Sequence, residues 1–284
     1  MLLTLYILAC ATFGTVSSYA SFNESLSRSK MAVLSAAVYS DNAQLCINSK
    51  LTPARVTKQV TIDCDLFKDK CSAFVYVDDN NRAVGLAYRG STSADQIIAQ
   101  VGAAFEKQVA FAPGGKVSSY FNDAWQLTWD AGIKAALTAA VWENPDYDLW
   151  ITGHSLGGSV AAMAASFIVS TKIAPAEKIH LYTFGEPRTG NKDYANAHDK
   201  LVPISFRVIH AHDIVAHIPP EFMGYRHHEA EIFYPKGMAV GDSYKTCIAQ
   251  ESEDCSEGQI DLSGDDHAVY YGKELSTWGR DGCP

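Results

Sequence analysis

Asp148-Leu149-Trp150-Ile151-Thr152-Gly153-His154-Ser155-Leu156-Gly157-Gly158 decides how the rest of the chain reads. An apolar run with the character of a buried strand leads into Gly-His-Ser-Leu-Gly, and an alanine-rich run, Ser159 to Ser170, follows at helical spacing. This strand–turn–helix order is the setting that a Gly-x-Ser-x-Gly turn requires. A serine on so sharp a turn has a strained backbone, and the adjoining strand and helix leave no room for side chains at Gly153 and Gly157. The pattern predicts an exposed Ser155 hydroxyl at a helix N-terminus, where backbone N–H groups can stabilise a developing oxyanion.

Outward from this stretch, strands and helices alternate. Lys58 to Ile62, Ser72 to Val77 and Ala83 to Tyr88 read as strands, and Lys178 to Phe184 and Ile204 to His210 as buried ones. Ala230 to Tyr234 reads as an edge strand. Helical spacing is expected over Glu24 to Tyr39, Ala94 to Val109 and Phe121 to Trp142, where Trp125, Trp129, Ile133, Leu137 and Val141 form a core-facing stripe. The expected fold is α/β, with a mostly parallel central sheet flanked by helices.

Met1 to Ala20 reads as a secretory signal peptide: Leu2 to Phe13 is too short an apolar run for a membrane span, and Ser18-Tyr19-Ala20 supplies small residues for cleavage. The expected organisation is a signal peptide over 1–20 and one disulfide-bearing domain over 21–284, secreted, with no stable membrane insertion. A formal charge of −9 argues against nucleic acid and against attraction to anionic membranes. Cys10 leaves with the signal, and the six remaining cysteines allow three disulfides. Close spacing favours Cys64–Cys71 and Cys247–Cys255, which leaves Cys46 for Cys283. The cysteine spacings do not form a zinc pattern, and no metal or organic cofactor is expected. Asn23-Glu24-Ser25 is a glycosylation sequon.

A serine nucleophile needs a base, and the base an orienting acid. Asp213 closely follows the Ile204–His210 strand, where parallel sheets present functional side chains, whereas Glu186, Asp193 and Asp199 read as solvated loop carboxylates. His217, His227, His228 and His267 lie later in the chain. The late loop carrying His267 can swing back over the serine turn, which favours it without excluding the others. His154 reads as a packing residue. A metal site at His210, His212 and His217 lacks a supporting motif.

Gly153-His154-Ser155-Leu156-Gly157-Gly158, preceded by Arg89-Gly90-Ser91 and followed by Phe184-Gly185-Glu186-Pro187-Arg188-Thr189-Gly190-Asn191, resembles the class three lipases, the fungal-type triacylglycerol lipases and their relatives. His212-Asp213-Ile214-Val215-Ala216-His217-Ile218-Pro219-Pro220 and Asp266-His267 resemble two further motifs of the family, and the likeness spans about Val75 to Gly272. The resemblance implies an α/β-hydrolase fold and a secreted serine ester hydrolase acting on a lipid or other ester at a lipid–water interface. It assigns Ser155 as nucleophile, Asp213 as orienting acid and His267 as general base. It also implies an oxyanion hole from the N–H groups of Ser91 and Leu156, and a lid over about Thr92 to Phe105 whose Ile97, Ile98 and Val101 would either meet lipid or pack on the body of the protein. Many members carry a tryptophan in the lid, where this chain has Asp95-Gln96-Ile97-Ile98. A phospholipase A1, a soluble-ester esterase and a non-catalytic lipid-binding relative are the alternatives, with a serine protease a more distant one.

Overall fold

The computed structural model describes residues 20–64, 70–91, 105 and 107–284. Among the described residues there are twelve strands: β1 (Arg55–Asp63), β2 (Lys70–Asp78), β3 (Ala83–Tyr88), β4 (Gln108–Ala110), β5 (Lys116–Ser118), β6 (Asp148–His154), β7 (Ile179–Phe184), β8 (Ser205–His210), β9 (Glu231–Tyr234), β10 (Lys245–Cys247), β11 (Val269–Tyr270) and β12 (Lys273–Glu274). Eight of them form one sheet in the order β1-β2-β3-β6-β7-β8-β9-β10. The interior run from β3 to β9 is parallel, and the outer pairs β1/β2, β2/β3 and β9/β10 are antiparallel. The expected α/β sheet is therefore present. β9 is not its edge, because the short β10 pairs outside it. β10 holds only Lys-Thr-Cys, too short to carry an alternating signal in the sequence.

The alternate side chains of β6 go into two separate cores. Leu149 and Ile151 join the helices 119–143 and Leu156–Ser170 on one face, while Trp150 joins the N-terminal helical stretch on the other. A strand buried on both faces has to be apolar throughout, which is why β6 reads as an unbroken hydrophobic run. On the second face the terminal helix Leu275–Arg280 lies against Ala32–Ala37, so close that a Cβ on Gly279 would fall 1.8 Å from the Ala36 carbonyl oxygen. The Cys46–Cys283 disulfide joins the same two ends of the chain across 237 residues, and Cys64–Cys71 and Cys247–Cys255 close short loops.

Two expected helices differ. The stripe from Phe121 to Trp142 is real, but the helix is divided into Ser119–Thr128 and Lys134–Glu143 around Gly132, whose φ of 127° lies outside the helical region. The helix predicted over Ala94 to Val109 does not include its last residues, since Gln108–Ala110 is a strand and Val109 pairs with Val117 in the β4/β5 hairpin; most of the rest of that stretch lies outside the described residues. Ile97, Ile98 and Val101 lie outside the described residues. Among the described residues no helix is long and apolar enough to cross a membrane.

Candidate active site

β6 runs straight into Ser155, which has φ 60° and ψ −135°, and the helix Leu156–Ser170 begins at the next residue. A non-glycine residue held there is strained, and strain of this kind persists where packing over-determines it. The packing is severe. A Cβ on Gly153 would lie 2.1 Å from the Gly157 carbonyl oxygen, and one on Gly157 2.3 Å from that of Tyr88. The Gly90 loop crosses directly over the turn, its Cβ position only 2.8 Å from the Ser155 Cβ. Ser155 is consequently 1% exposed, and the hydroxyl that its sequence setting predicts to be exposed is buried.

Asp213 lies three residues beyond β8 and is fully buried. His267 Nδ1 sits 2.9 Å from its Oδ1 and 3.0 Å from its Oδ2. The Val215 N–H donates to Oδ1 over 2.8 Å, and the Tyr270 hydroxyl donates to Oδ2 over 2.6 Å. Burial pushes the Asp213 carboxyl up, but the His267 charge and these hydrogen bonds outweigh it and hold the group below the ordinary aspartate range. An ionised carboxylate can only accept, so Nδ1 of His267 carries a hydrogen, and in the neutral imidazole Nε2 presents the lone pair. The pair fits only because residue 185 is glycine, since a Cβ there would lie 2.6 Å from Asp213 Oδ2 and 2.7 Å from His267 Nδ1.

The segment bearing His267 is zipped onto the Asp213 loop by Ser263, whose N–H donates to the His212 carbonyl over 2.7 Å and whose carbonyl accepts from Ile214. His154 holds the other side. Its Nε2–H donates to the His267 carbonyl over 2.8 Å, which leaves Nδ1 to accept from the Tyr39 hydroxyl at 2.8 Å. The two imidazoles stack with centroids 4.7 Å apart. Burial, and then the neighbouring His267 charge, lower the His154 pKa to about 3, so this ring is a neutral prop.

Ser155 Oγ and His267 Nε2 are both buried and without a hydrogen-bond partner among the described residues. Beside them Gly90, Ser91 and Leu156 line a cavity of about 310 Å³, with Tyr120, Ala124 and Val160 on its apolar side. Leu156 is the first residue of its helix, so its N–H has no intrahelical acceptor.

The other histidines are engaged elsewhere. His217 Nδ1 lies 3.8 Å from Glu257, His227 bonds the Ala216 carbonyl, and His228 stands 3.2 Å from both oxygens of Glu186. Glu186, expected to be solvated, is fully buried. Thr183 and Thr189 hydroxyls donate to it as well, and the His228 charge and these bonds overcome burial to keep its carboxyl low. Among the described residues no group of three or more His, Cys, Asp or Glu could hold a metal ion.

Sequence reasoning missed Tyr39, Tyr270 and Arg188. Tyr270 lies three residues past His267, in the strand Val269–Tyr270 beyond the helix Gly264–Ala268, so no single period links the two, and Tyr39 is 115 residues from its partner His154. Arg188 is almost wholly buried. It holds Glu251 through two bonds of 3.0 Å and Glu257 through one of 2.6 Å, and it donates to the His217 and Pro219 carbonyls. It thereby ties the 247–255 disulfide loop to the segment that follows Asp213.

The family model for lipase (class 3) matches residues 85–223. The chain is 31% identical over 298 residues to Lipase ZK262.3 of Caenorhabditis elegans, covering 93% of this chain and 83% of that one. It is 32% identical over 225 residues to the secreted mono- and diacylglycerol lipase 1 of Fusarium solani, across 75% of this chain and 66% of the relative. Among solved structures, the lipase from Rhizopus microsporus var. chinensis superimposes with a TM-score of 0.78 at 23% identity, covering 91% of each chain. The Rhizomucor miehei triacylglyceride lipase does so with a TM-score of 0.76 at 24% identity, covering 91% of this chain and 99% of that one. At these identities the superpositions speak for the α/β-hydrolase fold.

Proposed function

The chain belongs to the class 3 lipase family and is a carboxylic ester hydrolase, and we propose that it cleaves acylglycerols through Ser155, His267 and Asp213. The observation that carries this assignment is the ordering of the buried carboxylate–imidazole pair near a strained serine, with Ser155 Oγ and His267 Nε2 both buried and unpartnered among the described residues. Ser155 Oγ attacks the acyl carbon while His267 Nε2 takes its proton. The imidazolium so formed lies against the Asp213 carboxylate. The carbonyl oxygen, now anionic, receives the N–H groups of Leu156 and Ser91, each worth about 3 kcal/mol in sites of this kind. His267 then protonates the departing alkoxide, and water, activated by the same imidazole, releases the fatty acid from Ser155. No step calls for a metal or an organic cofactor.

Residues 1–20 are the signal peptide of this reading and 21–284 the mature secreted domain. Secretion is supported by the apolar leader and by the secreted Fusarium solani relative. The substrate class is supported by that relative's name and by the apolar cleft wall of Tyr120, Ala124 and Val160. The test is the hydrolysis of tributyrin emulsion by wild type and Ser155→Ala. Loss of at least a thousandfold in the variant, with an unchanged melting temperature, is the expected result. A variant as active as wild type would remove Ser155 from the mechanism.

A further inference from the structure

Three exposed apolar side chains stand beside the two segments that carry Asp213 and His267. Phe222 and Ile260 are each 89% exposed and Leu262 is 37% exposed. Phe222 is part of the short turn Glu221–Met223 after the Asp213 loop, and Ile260 and Leu262 immediately precede Ser263, which is zipped to that loop. The two stretches belong to one rim, because buried Arg188 donates both to the Pro219 carbonyl over 3.2 Å, just before the Phe222 turn, and to Glu257 over 2.6 Å, just before Ile260.

The rim is acidic. Residues 257–266 contain Glu257, Asp261, Asp265 and Asp266 and no lysine or arginine. Asp261 and Asp265 are exposed. The nearby cations are already committed: Arg226 pairs with Glu221 over 3.0 Å, and buried Arg188 is held by Glu251 and Glu257. Apolar side chains at this exposure lose little by entering a lipid surface and gain by leaving water. Carboxylates beside them are repelled by an anionic surface.

We infer that Phe222, Ile260 and Leu262 seat the protein on an uncharged lipid surface, and that the surrounding carboxylates make this rim reject anionic lipid. The inference rests on the hydrolase reading of the cleft and adds to it the class of interface at which the enzyme works: neutral acylglycerol droplets, not membranes rich in acidic phospholipid. The docking side chains lie outside the predicted lid, on the segments that follow Asp213 and precede His267.

The test measures adsorption, by flotation of the full chain, to neutral droplets of triolein coated with phosphatidylcholine and to the same droplets carrying a third phosphatidylglycerol. Hydrolysis of dissolved p-nitrophenyl butyrate is followed in parallel. Wild type is expected on neutral droplets and off anionic ones at low salt, with binding to the latter restored in 0.5 M NaCl as screening shortens the repulsion. Phe222→Ser/Ile260→Ser should lose neutral adsorption at least tenfold while keeping its rate on the dissolved ester. Asp261→Asn/Asp265→Asn should gain adsorption to anionic droplets by about twenty-five-fold, near fivefold per charge removed. Wild-type adsorption to anionic droplets at low salt equal to that on neutral ones, or an apolar double variant that floats like wild type, overturns the inference. Absence of ester hydrolysis by wild type would instead strike the hydrolase reading, and the flotation result would still decide the rim.

Discussion

Replacing Asp213 by asparagine separates what the buried charge does from what the buried shape does. Asparagine keeps an acceptor for the Val215 N–H if its amide oxygen takes the Oδ1 position, 2.8 Å from that nitrogen. Its NH2 then occupies the Oδ2 position, where the Tyr270 hydroxyl can turn from donor to acceptor. The local packing should survive. What disappears is the negative charge 2.9 Å and 3.0 Å from His267 Nδ1, the group that must balance the imidazolium as it forms. Two unit charges centred about 4 Å apart attract by about 4 kcal/mol at the effective dielectric usual for protein sites. At 1.4 kcal/mol per decade that is nearly a thousandfold in rate, and any shift of His267 to the wrong tautomer adds to it. Asp213→Asn is therefore expected to lower kcat for a soluble butyrate ester by three to four orders of magnitude, with the far-ultraviolet dichroism and melting temperature close to wild type. A well-folded variant within tenfold of the wild-type kcat would refute the assignment of charge balance to Asp213.

Tyr270→Phe removes one donor to the same carboxylate over 2.6 Å. A loss of about 2 kcal/mol in stability is expected, read from urea denaturation, together with a smaller fall in kcat. Gly157→Ala drives a Cβ against the backbone of Tyr88 at 2.3 Å, where nothing can turn aside, and soluble expression should fail or the melting temperature fall by more than 10 °C. Glu251→Gln leaves buried Arg188 with a single carboxylate partner, and a destabilisation of about 3 kcal/mol should appear in the same urea titration. Burial also holds His154, His198 and His227 below the ordinary histidine pKa, His154 at about 3. All three are neutral when folded and gain a proton on unfolding below about pH 6.5. Their contribution is whole above that pH and is lost as pH falls toward the folded values, by about 1.4 kcal/mol per unit for each. A urea midpoint unchanged between pH 7 and pH 5 would contradict this, and His198→Gln should flatten the slope.

Parts of this protein are legible locally because their physics is local. The serine turn is written in the two glycines that backbone contact demands, and the interior strands are apolar along their whole length because both faces are covered. The fate of Glu186 was not legible. Its neighbours in sequence are turn residues, and its burial depends on His228, 42 residues later. β10 and the break at Gly132 were hidden for a related reason: three residues cannot show a period, and one glycine inside a helical stripe does not announce a positive φ.

The sequence by itself determined the strand–serine–helix unit, the α/β class, the acidic balance and the short list of side chains able to serve Ser155. Among those histidines the family resemblance already pointed to His267, but spacing alone left four open; the contact itself is tertiary, since Asp213 and His267 meet 54 residues apart through Ser263, His154 and Tyr39. Periodicity carries information over a few turns of chain. A hydrogen bond between distant loops depends on the whole sheet having already placed their ends together.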